Sequence, residues 1–237
     1  IFSIFRLAFP VILSQFLVLL MQVVDLHFIG HYVNDVGPAA LSGVGMVNSL
    51  QGFGLVIGFG FLAGLEYRVP HALGEGKPAL AQEYARVGAF LAVALALIWM
   101  AVAFGAMEFA DSWGLPPDSI DQSKKFQFPI LLSLPSVMLF MVTRIILQAT
   151  GRAQMVTFAL VGANVLNVLL NLALVSGPFG WPRFGVVGSA WATFFSLTFL
   201  LALVALPALR ALGHPHSIAR VSAPELRRTA KNLLRVG

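Results

Sequence analysis

Six apolar runs, each long enough to cross a bilayer, constrain this chain more than any other feature. An α-helix rises 1.5 Å per residue, so about 20 apolar residues cover a hydrocarbon layer of roughly 30 Å. Apolar runs bounded by Gly and Pro predict spans at Pro10–Ile29, Ala39–Leu65, Tyr84–Met107, Phe126–Leu147, Met155–Val175 and Gly185–Leu209. With short loops these fill the 237 residues. The predicted fold class is therefore all-α, a polytopic membrane protein with six transmembrane helices. The chain is 58% apolar and 11% charged, which excludes a soluble globular domain and a disordered chain alike. There is no Cys, so no disulfide framework and no thiolate zinc site is expected. The first run is too long for a signal peptide and lacks a charged leader and small-residue cleavage site.

The net charge of +5 raises the question of nucleic acid. Loop charges answer it. With both ends cytoplasmic, the inner segments hold Arg6, Arg68, Lys77, Arg86, Arg144, Arg152, Arg210, Arg220, Arg227, Arg228, Lys231 and Arg235. The outer segments hold Lys124, Lys125 and Arg183, together with Asp35, Glu108, Asp111, Asp118 and Asp121. Basic residues near span ends stay on the cytoplasmic side, so the basic excess is an orientation signal and no nucleic-acid partner is expected. The expected location is the plasma (inner) membrane. Residues 214–237 form a basic segment. Its Arg227, Lys231 and Arg235 share one helical face, which fits either an amphipathic helix on the inner surface or an ordinary cytoplasmic loop.

Polar residues inside the spans are the informative ones. A carboxylate at the centre of a spanning helix costs about 2.5–3.5 kcal/mol on insertion scales, so it is read first as functional. Asp25 is the acidic residue lying well inside a predicted span. At 100° per residue, Gln15, Gln22 and Asp25 fall within about 80° of one another, a stripe that faces protein or water. Asn164, Asn167 and Asn171 share a face of the fifth span, as Ser189, Thr193 and Ser196 do in the sixth. On spacing alone the amides fit interhelical glue as well as ligation, and the hydroxyls fit small-residue packing. One carboxylate among neutral oxygens suits a hard monovalent cation or a transferable proton.

Other chemistries find little support. HExxH, GxSxG and phosphate-loop patterns are absent, as are a ladder of arginines and a second buried Asp for aspartyl proteolysis. An enzyme is not expected. His27 and His31 lie near the outer end of the first span and read as structural more readily than as a proton relay. Glu66 and Arg68 read as interfacial residues that snorkel.

The stretch LAFPVILSQFLVLLMQVVDLHFIG (Leu7 to Gly30) resembles the first helix of the multidrug and toxic compound extrusion family, MATE. AALSGVGMVNSL (Ala39 to Leu50) resembles its second helix and HALGEGKPALA (His71 to Ala81) its inner Gly-rich loop. LQATGRAQ (Leu147 to Gln154), GANVLNVLLN (Gly162 to Asn171) and GVVGSAWATFFS (Gly185 to Ser196) continue the likeness in order. The resemblance implies one amino-terminal six-helix lobe, residues 1–213, of a twelve-helix pseudo-two-fold transporter. Residues 214–237 would then be a basic linker to a second lobe. KNLLRVG (Lys231 to Gly237) is similar to the start of the first helix, IFRLAFP (Ile4 to Pro10), an internal-repeat argument of the kind transporters invite.

Carried over residue by residue, the resemblance implies a coupling-ion site at Asp25, Asn167, Asn171 and Thr193, completed by Ser189. Some members carry a carboxylate where Asn171 stands. Gln15, Gln22, Asn48, Gln51 and Asn164 are expected to line the cavity. The leading expectation is cation-coupled antiport and efflux of small, often cationic or amphipathic compounds. The coupling ion is H⁺ or Na⁺, with Na⁺ at Asp25 the one metal expected, and no cofactor is implied. Expected partners are membrane lipid, small-molecule cargo and a second six-helix lobe. Two alternatives stay open: a lipid-linked oligosaccharide flippase, and a membrane scaffold or six-helix homodimer in which Asp25 is helix glue.

Overall fold

The computed structural model describes residues 2–33, 37–177 and 183–212, nearly all of them helical. In order these are α1 (Phe2–Tyr32), α2 (Gly37–Gly74), α3 (Pro78–Met107), a 3₁₀ turn (Ala110–Trp113), α4 (Pro117–Leu132), α5 (Leu134–Ala149), α6 (Ala153–Asn171), a π-helical turn (Leu172–Ser176) and α7 (Gly185–Ala211). α4 and α5 together make one crossing, so six segments are long and apolar enough to span a membrane. The break falls at Ser133. Pro135 has no N–H to offer the Leu131 carbonyl, while the Ser133 hydroxyl donates to the Ile130 carbonyl at 2.7 Å.

The helices outrun the apolar runs that betray them. α2 continues nine residues past Leu65, and α3 begins six before Tyr84. α4 starts at Pro117, nine residues before the apolar run opens at Phe126. Hydropathy reports where the bilayer ends, whereas a helix ends where its backbone runs out of partners or meets a breaker. Pro78 and Pro117 each occupy a first helical position, where a missing N–H costs nothing. The polar first turns of α4 carry a Lys125–Asp121 pair at 2.5 Å, four residues apart. Between α2 and α3 the chain turns through Gly76, with φ of +70°. There the Lys77 ammonium, hydrogen-bonded to Glu75 at 2.9 Å, holds that exposed carboxyl below its ordinary pKa.

α2 packs on α3 and α4, α6 on α7 and α1, and α5 on α7 and α3. One apolar core joins Leu17 and Met21 to Leu65, Met138, Leu147 and Leu160. A second, at the opposite end, gathers Ile29, Val44, Phe126, Ile130 and Val186. Small residues bring the backbones together, as membrane interfaces require. A Cβ on Gly43 would lie 2.6 Å from the Ser119 carbonyl oxygen, so α2 meets α4 there backbone to backbone. The Ser123 hydroxyl exploits that approach and reaches the Gly43 carbonyl at 3.1 Å. Outward, large apolar side chains such as Phe53, Val56, Ile98 and Phe158 stand exposed, the exterior that acyl chains solvate.

Five of the arginines counted with the inner segments, Arg6, Arg68, Arg86, Arg144 and Arg210, lie within helices. Arg144 is buried in α5, five residues before its end. It pairs with Glu66 at 3.3 Å and its guanidinium sits 5.9 Å from the Phe59 ring. Arg68 donates to the Tyr84 hydroxyl at 3.3 Å, and Arg86 belongs to α3. Glu66 and Arg68 thus engage neighbouring helices, beyond snorkelling alone. The basic segment 214–237 and its repeat of the first helix lie outside the described residues.

Candidate functional site

Asp25 lies on α1, two turns from its end, and is only 5% exposed. A carboxylate so placed must find donors within the protein. α6 supplies two. The Asn167 and Asn171 side-chain amides donate to Asp25 Oδ1 at 3.0 and 2.7 Å. α7 supplies the third, the Thr193 hydroxyl, which donates to Oδ2 at 2.5 Å. The spacing explains why these groups meet. Asn167 and Asn171 are one turn apart on the α6 face that packs on α1, and both are fully buried. Ser189, one turn before Thr193, buries its hydroxyl beside the same carboxylate without closing a hydrogen bond of good geometry to it.

The site has more acceptors than donors. The side-chain carbonyl oxygens of Asn167 and Asn171 and the Ser189 hydroxyl are buried and meet no hydrogen-bond donor. Buried polar atoms are seldom left so, and several together around one carboxylate call for a proton source or a cation. The donor set, one carboxylate with neutral amide and hydroxyl oxygens, fits a hard monovalent ion. Among the described residues no cluster of three His, Cys, Asp or Glu exists that would hold a transition metal.

The remaining polar residues fall into separate places. Asn164 does not reach Asp25; its amide donates to the carbonyls of Leu17 at 3.0 Å and Leu160 at 2.8 Å, tying α6 to α1. Gln51 is buried and donates to the Ser133 hydroxyl at 3.4 Å, at the break between α4 and α5. Gln15 and Gln22 are exposed on α1, and Asn48 is half-buried on α2. His27 and His31 are exposed and stack in parallel, ring centroids 6.0 Å apart. Asn164→Ala is expected to cost about 0.6–2 kcal/mol of lobe stability through the lost interhelical bond. A thermal melt would show that loss, while ion dependence of any activity stays unchanged because Asp25 keeps its three donors.

One element escaped the sequence reading. Directly after Asn171 the helix widens into the π-helical turn Leu172–Ser176. Such turns occur mostly as single-turn bulges within α-helices, and frequently at functional sites. Here the turn leaves the Leu174 carbonyl to accept from the Phe184 N–H at 2.9 Å, which seats the start of α7. Gly188 makes the seating possible, since a Cβ there would lie 2.7 Å from that carbonyl oxygen. The adjacent Ser189 and, one turn on, Thr193 are thereby aimed at Asp25. The Gly-Ser pair was visible in the sequence, but a π turn has no compositional signature.

Fold and site together define a polytopic α-helical membrane protein with a buried, single-carboxylate polar centre between its first, fifth and sixth crossings. The chain belongs to the MatE family, whose model matches residues 10–173. It is 30% identical over 191 residues to a probable multidrug resistance protein NorM of Pseudomonas putida, covering 81% of this chain and 40% of that protein. It is likewise 30% identical over 230 residues to a protein of the same description from Pseudomonas aeruginosa, covering 90% and 45%. A crystal structure of MATE in the bent conformation superposes with a TM-score of 0.83 at 22% identity, over 99% of this chain and 51% of that one. The chain thus spans less than half the length of these relatives and has the fold of one six-helix half of the solved protein.

Proposed function

We propose that this chain forms the amino-terminal lobe of a cation-coupled antiporter that exports small, often cationic or amphipathic compounds by alternating access. The observation that carries the reading is the Asp25 centre. A carboxylate buried in a spanning helix, held by three donors and ringed by unmatched acceptors, is costly unless it exchanges an ion. Asp25 takes the coupling ion, H⁺ or Na⁺, as a co-substrate. Asn167, Asn171, Thr193 and Ser189 act as neutral ligands.

Chemically, the amides serve two states. With Asp25 charged and no cation bound, Asn167 and Asn171 donate to it, as seen. A half-turn of either amide exchanges its nitrogen for its oxygen and presents an acceptor to an arriving cation. Protonation of Asp25 instead turns it from acceptor to donor, which the unmatched amide oxygens accommodate. Each route changes the contacts between α1, α6 and α7, and so biases one packing of these helices over another. A second six-helix lobe provides the other wall for alternating access, with residues 1–213 as this lobe and 214–237 as the linker. Both ends of the chain are cytoplasmic in this reading, in the inner membrane, as the basic bias supports.

The test uses the full-length protein in sealed vesicles loaded with a cationic dye. An imposed Na⁺ or pH gradient is expected to drive dye movement against its own gradient, and reversing the ion gradient to reverse the flow. Dye movement indifferent to both gradients would sink the reading.

A further inference from the structure

Away from Asp25, a groove of about 580 Å³ opens between α3, α5 and α7, at the end where α3 begins and α7 stops. Its floor is apolar, built from Ala89, Leu139, Val142, Ile146 and Leu201. Its polar lining includes Gln82, Arg86 and Arg210. Gln82 fixes their level by donating to the Leu212 carbonyl at 2.6 Å, which lays the second turn of α3 against the end of α7. Arg86, one turn further along α3, and Arg210, two residues before Leu212, then lie within about two turns of each other in height. Among the described residues neither guanidinium takes part in an ion pair. A positive-inside bias accounts for the side of the membrane these arginines occupy. It does not account for two of them converging on one apolar groove.

The complement of such a groove is an amphiphile, with an anionic head for the arginines and an acyl chain for the floor. The chain's own continuation has the wrong sign. Residues 213–237 carry Arg220, Arg227, Arg228, Lys231 and Arg235 against the single Glu225. We propose that this groove binds one anionic phospholipid. Its phosphate sits between Arg86 and Arg210, and one of its acyl chains lies along the α5–α7 floor. The lipid would staple α3 to α7, and α7 carries Thr193, so occupancy bears on the stability of the Asp25 centre.

The test is a binding measurement on the full-length protein and does not depend on transport. Leu206, exposed at the groove, is replaced by Leu206→Trp as a reporter. Its fluorescence is titrated with brominated phosphatidylglycerol or brominated phosphatidylcholine of the same chain length. Saturable quenching by the anionic lipid is expected at a concentration about fivefold or more lower than by the neutral one. Adding Arg86→Gln and Arg210→Gln should erase that preference while leaving quenching by phosphatidylcholine intact, which shows that the variant is folded. Arg86→Lys with Arg210→Lys should retain most of it. Equal quenching by both lipids would overturn the proposal, as would a preference that survives the double Gln variant.

Discussion

Asp25→Asn in the full-length protein is expected to reduce ion-driven efflux at least about tenfold while leaving the lobe as stable as before, or more so. The loss follows from chemistry. An amide cannot take up and release a proton, and it offers a cation no charge. A hydrogen bond to a charged group is worth roughly 1.5–3 kcal/mol, so losing the charge costs tenfold or more in ion affinity. Retained stability follows from the local geometry. Asp25 Oδ1 accepts from Asn167 and Asn171, and Oδ2 from Thr193. An Asn at this position keeps one carbonyl oxygen for the two amides and turns its own amide toward the Thr193 oxygen. The variant also escapes the cost of placing a charge inside the membrane. The two measurements are gradient-driven dye efflux and thermal unfolding in detergent. Full efflux in the variant would remove Asp25 from the coupling step. Unfolding would instead identify Asp25 as glue between helices.

Gly188→Val should be as damaging by a different route. A Cβ at position 188 meets the Leu174 carbonyl oxygen at 2.7 Å, its carbon at 3.0 Å and its own Cβ at 3.1 Å. These are mostly backbone atoms, which cannot swing aside. The first turn of α7 must move off the π turn, breaking the Phe184-to-Leu174 hydrogen bond and carrying Ser189 and Thr193 away from Asp25. Overpacking of this kind costs about 1–3 kcal/mol, and here the strain falls on the site. The expected outcome is a lowered melting temperature together with loss of ion-driven efflux. Gly105→Ala is the control. A Cβ there meets nothing within 4 Å, so the change should stabilise α3 slightly through helix propensity. Equal behaviour of the two variants would refute the role given to the α6–α7 seating.

The number and order of the crossings were legible in the sequence because the bilayer imposes them one segment at a time. An apolar run of sufficient length has one stable outcome in lipid, a helix with every backbone group satisfied. The principal members of the site were legible for a related reason. Asp25 is conspicuous because charge is expensive there. Asn167, Asn171, Ser189 and Thr193 stand out as polar residues at helical spacing inside apolar runs. The ends of the helices were less legible. The first turns of α4 are polar, and nothing in hydropathy tells a polar helix from a loop.

Which polar residues share a task was decided elsewhere. Asn164 has the same face and chemistry as Asn167, yet its amide is committed to the Leu17 and Leu160 carbonyls. Gln51 is committed to Ser133, and Arg144, counted with the inner charges at the end of the fourth span, is buried in α5 against Glu66. A helical period places residues on a face. It says nothing of the height at which a neighbouring helix crosses or how its side chains fill the gap. The sequence alone settles that six apolar helices cross, which way their charges bias them, and that one carboxylate lies where lipid forbids it. Only tertiary packing selects its partners, because α1, α6 and α7 meet at a height set by close contacts such as that of Gly188 with Leu174, and hydrogen bonds reach little beyond 3 Å.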